Sequence, residues 1–100
     1  MFIAMNRFKI IIGKEKEFEN MWKSRETFLD KVPGFKNFNL IKGKTNEENT
    51  LYASHSIWDS EGSFINWTKS EEFRMAHKDA GSNKHLYLGH PEFEGFNKII

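Results

Sequence analysis

The first 31 residues, "MFIAMNRFKIIIGKEKEFENMWKSRETFLDK", decide the fold class because their hydrophobic pattern changes period at Gly13. Residues 1–12 are rich in Ile and Phe, which is typical of a β-strand. In residues 14–31 the period becomes helical. The side chains that recur at this spacing on one face are Phe18, Met21, Trp22, Arg25, Phe28 and Leu29. The chain therefore begins with a strand and a helix, and "VPG" at residues 32–34 ends that helix.

Three further strands are predicted in the rest of the chain. "FKNFNLIKG" (35–43) and "NTLYASHSIWD" (49–59) form a hairpin, with "KTNEEN" (44–49) as its polar turn. "GSNKHLYLGHP" (81–91) is typical of a loop, and "EFEGFNKII" (92–100) is typical of a final strand.

A second helical segment separates the hairpin from the last strand. Asp59 can cap its start, and Thr68 and Ser70 can restart a turn that continues to Ala80. The resulting order is β-α-β-β-α-β. It predicts one α+β domain over residues 1–100 with a ferredoxin-like fold, in which both helices cover one face of an antiparallel sheet.

The other face of this sheet also needs a cover, because the first strand is partly apolar on both sides. One side carries Phe2, Ala4, Asn6 and Phe8, and the opposite side carries Ile3, Met5 and Ile11. Two helices can cover only one of them. A second sheet, supplied by a second copy of the chain, would cover the other. We therefore expect a homodimer.

The composition excludes several classes of protein. Fifteen basic residues against fourteen acidic ones give a net charge of +1, which does not favour nucleic-acid binding. The chain has no cysteine, so disulfides, thiolate metal sites and a cysteine nucleophile are excluded. The N-terminal apolar run is too short for a signal peptide or a membrane span, and we expect a cytoplasmic protein that does not bind membranes. Ten Phe, three Trp and two Tyr can build a ring-rich core or line a flat apolar ligand site.

Asn6, Trp67 and His77 are the residues most able to carry chemistry. Asn is depleted in strands, and a buried amide is either bonded to neighbouring backbone or kept free for a ligand. Trp67 can belong to the core or to a pocket wall. A neutral imidazole such as His77 ligates metals and haem iron, although most helical histidines have no such role. His55, His85 and His90 are too far apart in sequence to form a local zinc pattern.

Three segments together resemble a known family. "AMNRF" (4–8), "SIWDSEGSFINWTKSEEFRMAH" (56–77) and "FEGFNKI" (93–99) resemble the antibiotic biosynthesis monooxygenase superfamily of dimeric α+β barrels. More narrowly, they resemble its haem-degrading branch, the IsdG-like monooxygenases. The likeness covers nearly the whole chain. It implies that Asn6, Trp67 and His77 are the catalytic set.

The resemblance also implies a role for each of these residues. His77 would bind the haem iron as axial ligand, and Asn6 would donate a hydrogen bond to the oxygen species or water on that iron. Trp67 would press the macrocycle out of plane and direct oxidation to its meso carbon. Haem would be both cofactor and substrate, opened with O₂ and electrons from an external donor or reductase, with release of iron.

The sequence offers candidates for the pocket wall and for the propionate contacts, and it allows two alternative functions. Phe64 and Phe73, with Phe8 beside them, would wall the pocket. The candidates for binding the haem propionates are Arg25, Arg74 and Lys78. Two alternative functions share the fold: a haem-independent monooxygenase of quinols or polyketide aromatics, and a haem-binding dimer that does not turn over.

Overall fold

The computed structural model describes residues 1–25, 27–77 and 80–100. Its strands are β1 (Phe2–Ile11), β2 (Phe35–Thr45), β3 (Asn49–Trp58) and β4 (Glu92–Asn97). Its helices are α1 (Glu15–Ser24), α2 (Glu61–Thr68) and α3 (Glu71–Ala76), with 3₁₀ segments at Leu29–Lys31 and Ala80–Leu86. Among the described residues, no helix is long and apolar enough to cross a membrane.

The four strands form one antiparallel sheet in the order β2-β3-β1-β4. This order and the helices on one face of the sheet confirm the predicted α+β, ferredoxin-like fold. The alternation predicted for β1 is also confirmed, because Phe2, Ala4, Phe8 and Ile10 are buried. In an antiparallel pair, directly opposed residues point to the same face. Asn6 therefore shares the buried face with Ser54, its partner on β3.

The predicted first helix is too long. α1 ends at Ser24, Arg25 is extended, and Phe28 adopts a left-handed conformation with φ of 60° before the first 3₁₀ segment. Phe18 and Leu29 are both buried, but they pack in separate apolar clusters. The break lets the chain leave the first cluster and place Leu29 in the second. The periodic face was therefore right, and the continuous helix over residues 14–31 was wrong.

The start of α2 corrects a second prediction. Ser60, not Asp59, is the N-cap, and its Oγ accepts a hydrogen bond from the backbone N–H of Ser63 at 3.2 Å. A hydrogen bond from the Ser63 side chain lowers the pKa of the Asp59 carboxyl. Ser70 caps α3, as predicted, and accepts from the backbone N–H of Phe73 at 3.2 Å.

The C-terminal third departs most from prediction. α3 ends at Ala76 instead of continuing to Ala80, and the expected loop contains the 3₁₀ segment Ala80–Leu86. This segment buries Leu86 completely. β4 ends at Asn97 instead of residue 100, because Asn97 pairs with Phe2 at the start of β1 and no partner strand extends further.

Two apolar clusters lie on the helix side of the sheet. The α1 cluster consists of Phe8, Ile10, Phe18, Tyr52 and Leu86. The α2 cluster consists of Phe2, Ala4, Leu29 and Trp58. On β1, Asn6 lies between Ala4 of the α2 cluster and Phe8 of the α1 cluster. The polar side chain thus marks the boundary between them.

Candidate ligand-binding site

A cavity of about 900 Å³ opens at this boundary, on the helix side of the sheet. Its volume is near the upper end of the roughly 300–1,000 Å³ that is usual for ligand pockets. β1 and β3 supply its floor, and α2, α3 and the segment before β4 supply much of its wall. The sequence-predicted residues that line it are Asn6, Phe8, Phe64, Trp67, Phe73 and His77. Residues that are far apart in sequence are therefore brought to one space.

Asn6 lies on the cavity floor between two neighbouring strands. Its partners across the sheet are Ser54 on β3 and Phe93 on β4. The amide is half-buried, and none of the described residues hydrogen-bonds to it. Of the two interpretations that the sequence allowed, the structure favours an amide available to a ligand over one bonded to neighbouring backbone.

His77 ends α3 as its C-cap residue. Its Nδ1 lies 2.8 Å from the carbonyl oxygen of Phe73, which can only accept, so Nδ1 carries the proton and Nε2 keeps a free lone pair. The two rings also stack, with centroids 4.1 Å apart. Burial lowers the pKa of His77; the Phe73 bond opposes this shift, and the positive charge of Arg25 adds to it. A neutral imidazole with one fixed tautomer is suited to ligate a metal.

Trp67 is both a pocket wall and part of the packing. Its ring lies 5.3 Å from that of Trp58, which is fully buried, and 4.8 Å from that of Phe73 in a T-shaped contact. His77 is edge-on at 6.1 Å. The indole N–H of Trp67 is buried and has no partner among the described residues. The sequence offered core and wall as alternatives, and the structure combines them.

Phe64 extends this aromatic surface towards β4. Its ring stacks on that of Phe93 with centroids 5.5 Å apart and an interplanar angle of 5°. We name Phe64, Trp67, Phe73 and Phe93 the aromatic wall. Phe8 also lines the cavity, but it is almost fully buried in the α1 cluster. The wall is therefore apolar and aromatic, with Phe64 and Phe93 parallel and Phe73 edge-on to Trp67.

Sequence reasoning missed the opposite side of the cavity. Trp22 was assigned only to the apolar face of the first helix, but it lines the cavity and stacks on Phe38 at 5.5 Å. The guanidinium carbon of Arg25 lies 4.4 Å from the centroid of the Trp22 ring. Neither residue type nor spacing separates such a wall residue from a core residue, because both are apolar positions on the same helix face.

The charged side chains that line the cavity are positive among the described residues. They are Arg25 and Lys84, with His90 as a further lining residue, and no Asp or Glu is among the described lining residues. Apolar walls with basic groups favour a ligand that carries negative charge. Of the other candidates for the propionates, Arg74 pairs with Glu71 and is not a lining residue, and Lys78 lies outside the described residues. Lys84 and His90 were missed because their segment was predicted only as a loop.

The remaining histidines lie elsewhere. His55 pairs with Met5 and points to the face of the sheet away from the helices. His85 contacts the Glu17 carboxylate on α1. In residues 1–25, 27–77 and 80–100, no group of three or more His, Asp or Glu side chains converges as a metal site.

The sequence has matches among known proteins. The profile of the antibiotic biosynthesis monooxygenase family matches residues 1–79. A relative from Staphylococcus epidermidis, named haem oxygenase (staphylobilin-producing), is 28% identical over 86 residues, which cover 84% of this chain and 80% of that protein.

The fold has matches among solved structures. The haem degrader MhuD from Mycobacterium tuberculosis, with two haems bound in its active site, matches with a TM-score of 0.72 and 18% identity. That match covers 100% of this chain and 97% of MhuD. A mutant of MhuD with two manganese protoporphyrin IX molecules per active site matches with a TM-score of 0.80 and 21% identity, covering 100% of this chain and 96% of the other. A mutant of SnoaB, a cofactor-independent oxygenase from Streptomyces nogalater, matches with a TM-score of 0.67 and 18% identity, covering 97% and 92%.

Proposed function

Since the chain belongs to the antibiotic biosynthesis monooxygenase family, we propose that it is a haem-degrading monooxygenase of the IsdG-like branch. It binds haem as substrate, opens the porphyrin ring with O₂ and an external reductant, and releases iron. The observation that carries this proposal is the convergence of Asn6, Trp67 and His77 on one cavity of about 900 Å³. The relative named haem oxygenase supports the same reaction class.

The residues present fit haem. The cavity is large, has an aromatic wall and is lined by basic but not acidic described residues, which suits a large apolar molecule with two carboxylates. The donor set contains a neutral imidazole, His77, whose Nε2 is available. Haem, when bound, supplies the redox and O₂ chemistry, and the protein supplies binding, orientation and electrostatics.

His77 would hold the iron of the substrate through Nε2. The Phe73 carbonyl accepts the Nδ1 proton and so fixes the tautomer and the direction of the ring. Stacking of the two rings at 4.1 Å restricts rotation further. The carbonyl and the stacked ring together orient His77 towards the cavity before the substrate arrives.

Asn6 and Trp67 act on the reacting face. The Asn6 amide presents a hydrogen-bond donor on the cavity floor, where a preorganised donor stabilises developing negative charge. Trp67 is backed by the fully buried Trp58 ring at 5.3 Å, so it cannot retreat when a flat ligand is pressed against it. This rigidity supports a role in distorting the macrocycle. Arg25, Lys84 and His90 would meet the propionates.

Titration with haemin tests the proposal. Addition of haemin to the purified protein should shift the Soret band, and a reductant in the presence of O₂ should then bleach it and release iron. Chelation of the released iron by ferrozine gives a second readout. A Soret shift without bleaching would leave a haem-binding dimer that does not turn over, and an unchanged spectrum would contradict the proposal altogether.

A haem-independent quinol or polyketide oxygenase is the alternative function. Its support is the structural similarity to SnoaB, which is a cofactor-independent oxygenase. Consumption of O₂ by the haem-free protein with a reduced naphthoquinol would favour this alternative. The same measurement with haemin and reductant should give the larger rate if haem is the substrate.

We also propose that the protein is a homodimer through the sheet face away from the helices. This face carries Ile3, Met5 and Ile57, together with Ile41 and Phe96, which are 44% and 41% exposed. A stable interface there should bury more than about 1,000 Å². Light scattering at micromolar concentration should give twice the chain mass of 11.8 kDa. A monomer mass would contradict the dimer and leave the haem proposal to its own test.

A further inference from the structure

Strand β3 carries a row of hydroxyl groups on its cavity side. By register with β1, this row consists of Thr50, Tyr52, Ser54 and Ser56. Three of the four are hydrogen-bonded to a neighbouring side chain. The pairs are Thr50 with Glu15 at 2.8 Å, Tyr52 with Glu19, and Ser56 with the indole N–H of Trp58 at 2.9 Å. Ser54 makes no hydrogen bond with any described side chain, and it lines the cavity.

Ser54 lies directly opposite Asn6 in the β1–β3 ladder. Directly opposed residues have Cβ atoms about 4.5–5.5 Å apart, so rotation of the two side chains brings their polar atoms to one point. The floor around this pair is apolar, with Ala4 and Phe8 along β1 and Phe93 across on β4. The Asn6 amide and the Ser54 hydroxyl thus form a small polar spot in an aromatic cavity.

A purely structural role does not account for Ser54. Val or Ile would suit a half-buried strand position better than Ser, because branched apolar side chains pack well on a pleated surface. Partial burial of a hydroxyl that has no protein partner also costs desolvation free energy without a compensating hydrogen bond. A hydrogen bond from this hydroxyl to a bound ligand would offset both costs.

We infer that Ser54 is a second hydrogen-bonding residue of the ligand site and acts with Asn6 on the same polar atom of the ligand. The amide offers the Nδ2 hydrogens, and the hydroxyl offers one hydrogen and its lone pairs. Together they suit a small anion or a carbonyl oxygen. The inference rests on the proposed function only for the identity of the ligand, haem with a small molecule at its iron.

A double-mutant cycle tests whether the two residues share one ligand atom. The variants are Asn6→Ala, Ser54→Ala and the double variant, and the measurement is the affinity of the haemin-loaded protein for azide. Each single change should weaken azide binding about tenfold. The fold-loss of azide affinity in the double variant should be clearly smaller than the product of the two single fold-losses, because the effects of two groups that act on one atom are not additive.

Two controls separate binding from packing. Ser54→Thr keeps the hydroxyl and should retain azide affinity within a factor of about two to three. Thr50→Ala removes a hydroxyl of the same row that is bonded to Glu15 and does not line the cavity, so it should lower the melting temperature and leave azide affinity unchanged. Unchanged azide affinity in Ser54→Ala, or effects that multiply fully in the double variant, would overturn the inference.

A second probe keeps the inference separate from the proposed function. Should haemin not bind, the cycle is measured with 1,4-naphthoquinone, whose carbonyl oxygen accepts hydrogen bonds and whose binding quenches the fluorescence of Trp22 and Trp67 in the cavity. A non-additive loss of quinone affinity would then support Ser54 although haem is not the substrate. Absence of binding by both probes would overturn the role of Ser54 as well.

Discussion

The α1 cluster and the α2 cluster are both built from aromatic side chains on the same side of one sheet, yet the α1 cluster is the more completely buried of the two. In the α1 cluster, Ile10, Phe18 and Leu86 are fully buried. In the α2 cluster, Trp58 is fully buried, but Phe64 and Trp67, which pack on it, are half-exposed to the cavity. Aromatic content alone therefore does not say which half is core and which half binds a ligand.

Polar groups make the difference. Tyr52 donates to Glu19 and Thr50 donates to Glu15, so these two buried hydroxyls of the α1 half are bonded to α1. Burial and the Glu19 carboxylate raise the pKa of Tyr52, which keeps the phenol protonated as a donor. The indole N–H groups of Trp67 in the α2 half and of Trp22 on α1 are buried without a described partner, and both tryptophans line the cavity. The unsatisfied groups therefore mark the cavity between the two clusters, and the bonded hydroxyls mark the interior of the α1 cluster.

The largest effect should come from opening the α1 cluster. Phe18→Ala removes a fully buried ring from the α1 cluster and should lower the free energy of unfolding by about 3–5 kcal/mol, measured by urea denaturation. Phe64→Ala, a ring of the same size on the cavity wall, should cost clearly less, because its site is already partly open. Equal losses in the two variants would remove the distinction between the clusters.

His77→Ala should lower haem affinity strongly and stability only slightly, unlike Phe18→Ala. Its haem affinity should fall by more than about a hundredfold, since losing only an outer partner of a metal ligand can cost 10–100-fold. The free energy of unfolding should change by less than about 1 kcal/mol, because the side chain is half-exposed. His85→Ala, an exposed histidine that contacts Glu17, is the matched control and should bind haem normally. An unchanged Soret band in His77→Ala would exclude it as the iron ligand.

Asn6→Ala and Trp67→Phe should separate haem binding from haem degradation. Both variants should take up haem. Asn6→Ala should degrade it about a hundredfold more slowly, because one preorganised donor is worth on the order of 3 kcal/mol. Trp67→Phe should lose less than Trp67→Ala, since a smaller ring still presses on the macrocycle. Circular dichroism must first show that Trp67→Ala is folded, because its core contact with Trp58 is lost.

Wild-type degradation rates in well-folded Asn6→Ala and Trp67→Ala proteins would contradict the assignment of these residues. The cavity would then serve as a haem carrier or as the site of another substrate. Loss of haem uptake by Asn6→Ala would place its amide in binding and not in the reaction.

A smaller effect is expected from a polar change in the α1 half. Tyr52→Phe removes the hydroxyl that donates to Glu19 and should lower the free energy of unfolding by about 1–2 kcal/mol. Haem affinity and degradation should stay at the wild-type level, because Tyr52 is not a cavity-lining residue. A slower reaction in Tyr52→Phe would show that the α1 half also contributes to chemistry.

The difference between the halves also explains what the sequence could predict. The period change at Gly13 and the alternation in β1 correctly predicted the element order and the face that carries Asn6. These signals are local, because strand and helix periods follow from backbone geometry. The end of α1 was mispredicted because Leu29 is drawn to the α2 cluster, a tertiary effect that no local pattern contains.

The candidate site was predicted only where residues matched a family pattern. Asn6, Trp67 and His77 were identified by resemblance, and the structure shows that they line one cavity. Trp22, Ser54 and Lys84 were missed because a tryptophan on a helix face, a serine in a strand and a lysine in a loop are each ordinary. Their meaning depends on which neighbours are already hydrogen-bonded, and this is decided only by the assembled fold.

The smallest expected effect concerns the cavity and is the pH dependence that follows from the titration of His77. Burial and the charge of Arg25 lower the pKa of His77 below its ordinary value near 6.5. The imidazole is therefore neutral at pH 7, and haem affinity should be constant above about pH 6.5 and fall only at lower pH, as protonation competes with the iron. The contribution of neutral His77 to the free energy of unfolding depends on pH in the same direction. It is fully present above the pKa of the histidine in the unfolded chain, and it is lost as the pH falls from that pKa to the lower pKa of the folded protein.

Arg25→Gln removes one cause of this shift and should raise the pKa of His77 towards its ordinary value. The loss of haem affinity on acidification should then begin at a higher pH than in the wild type. Lys84→Gln is the matched control, because it removes a lining charge that does not contribute to the His77 shift. The ring-proton resonances of His77, followed by NMR in the haem-free protein, give the pKa directly. An identical titration in Arg25→Gln and wild type would show that burial alone keeps the imidazole neutral. An equal shift in Lys84→Gln would show that the pKa of His77 responds to any lining positive charge and not to Arg25 in particular.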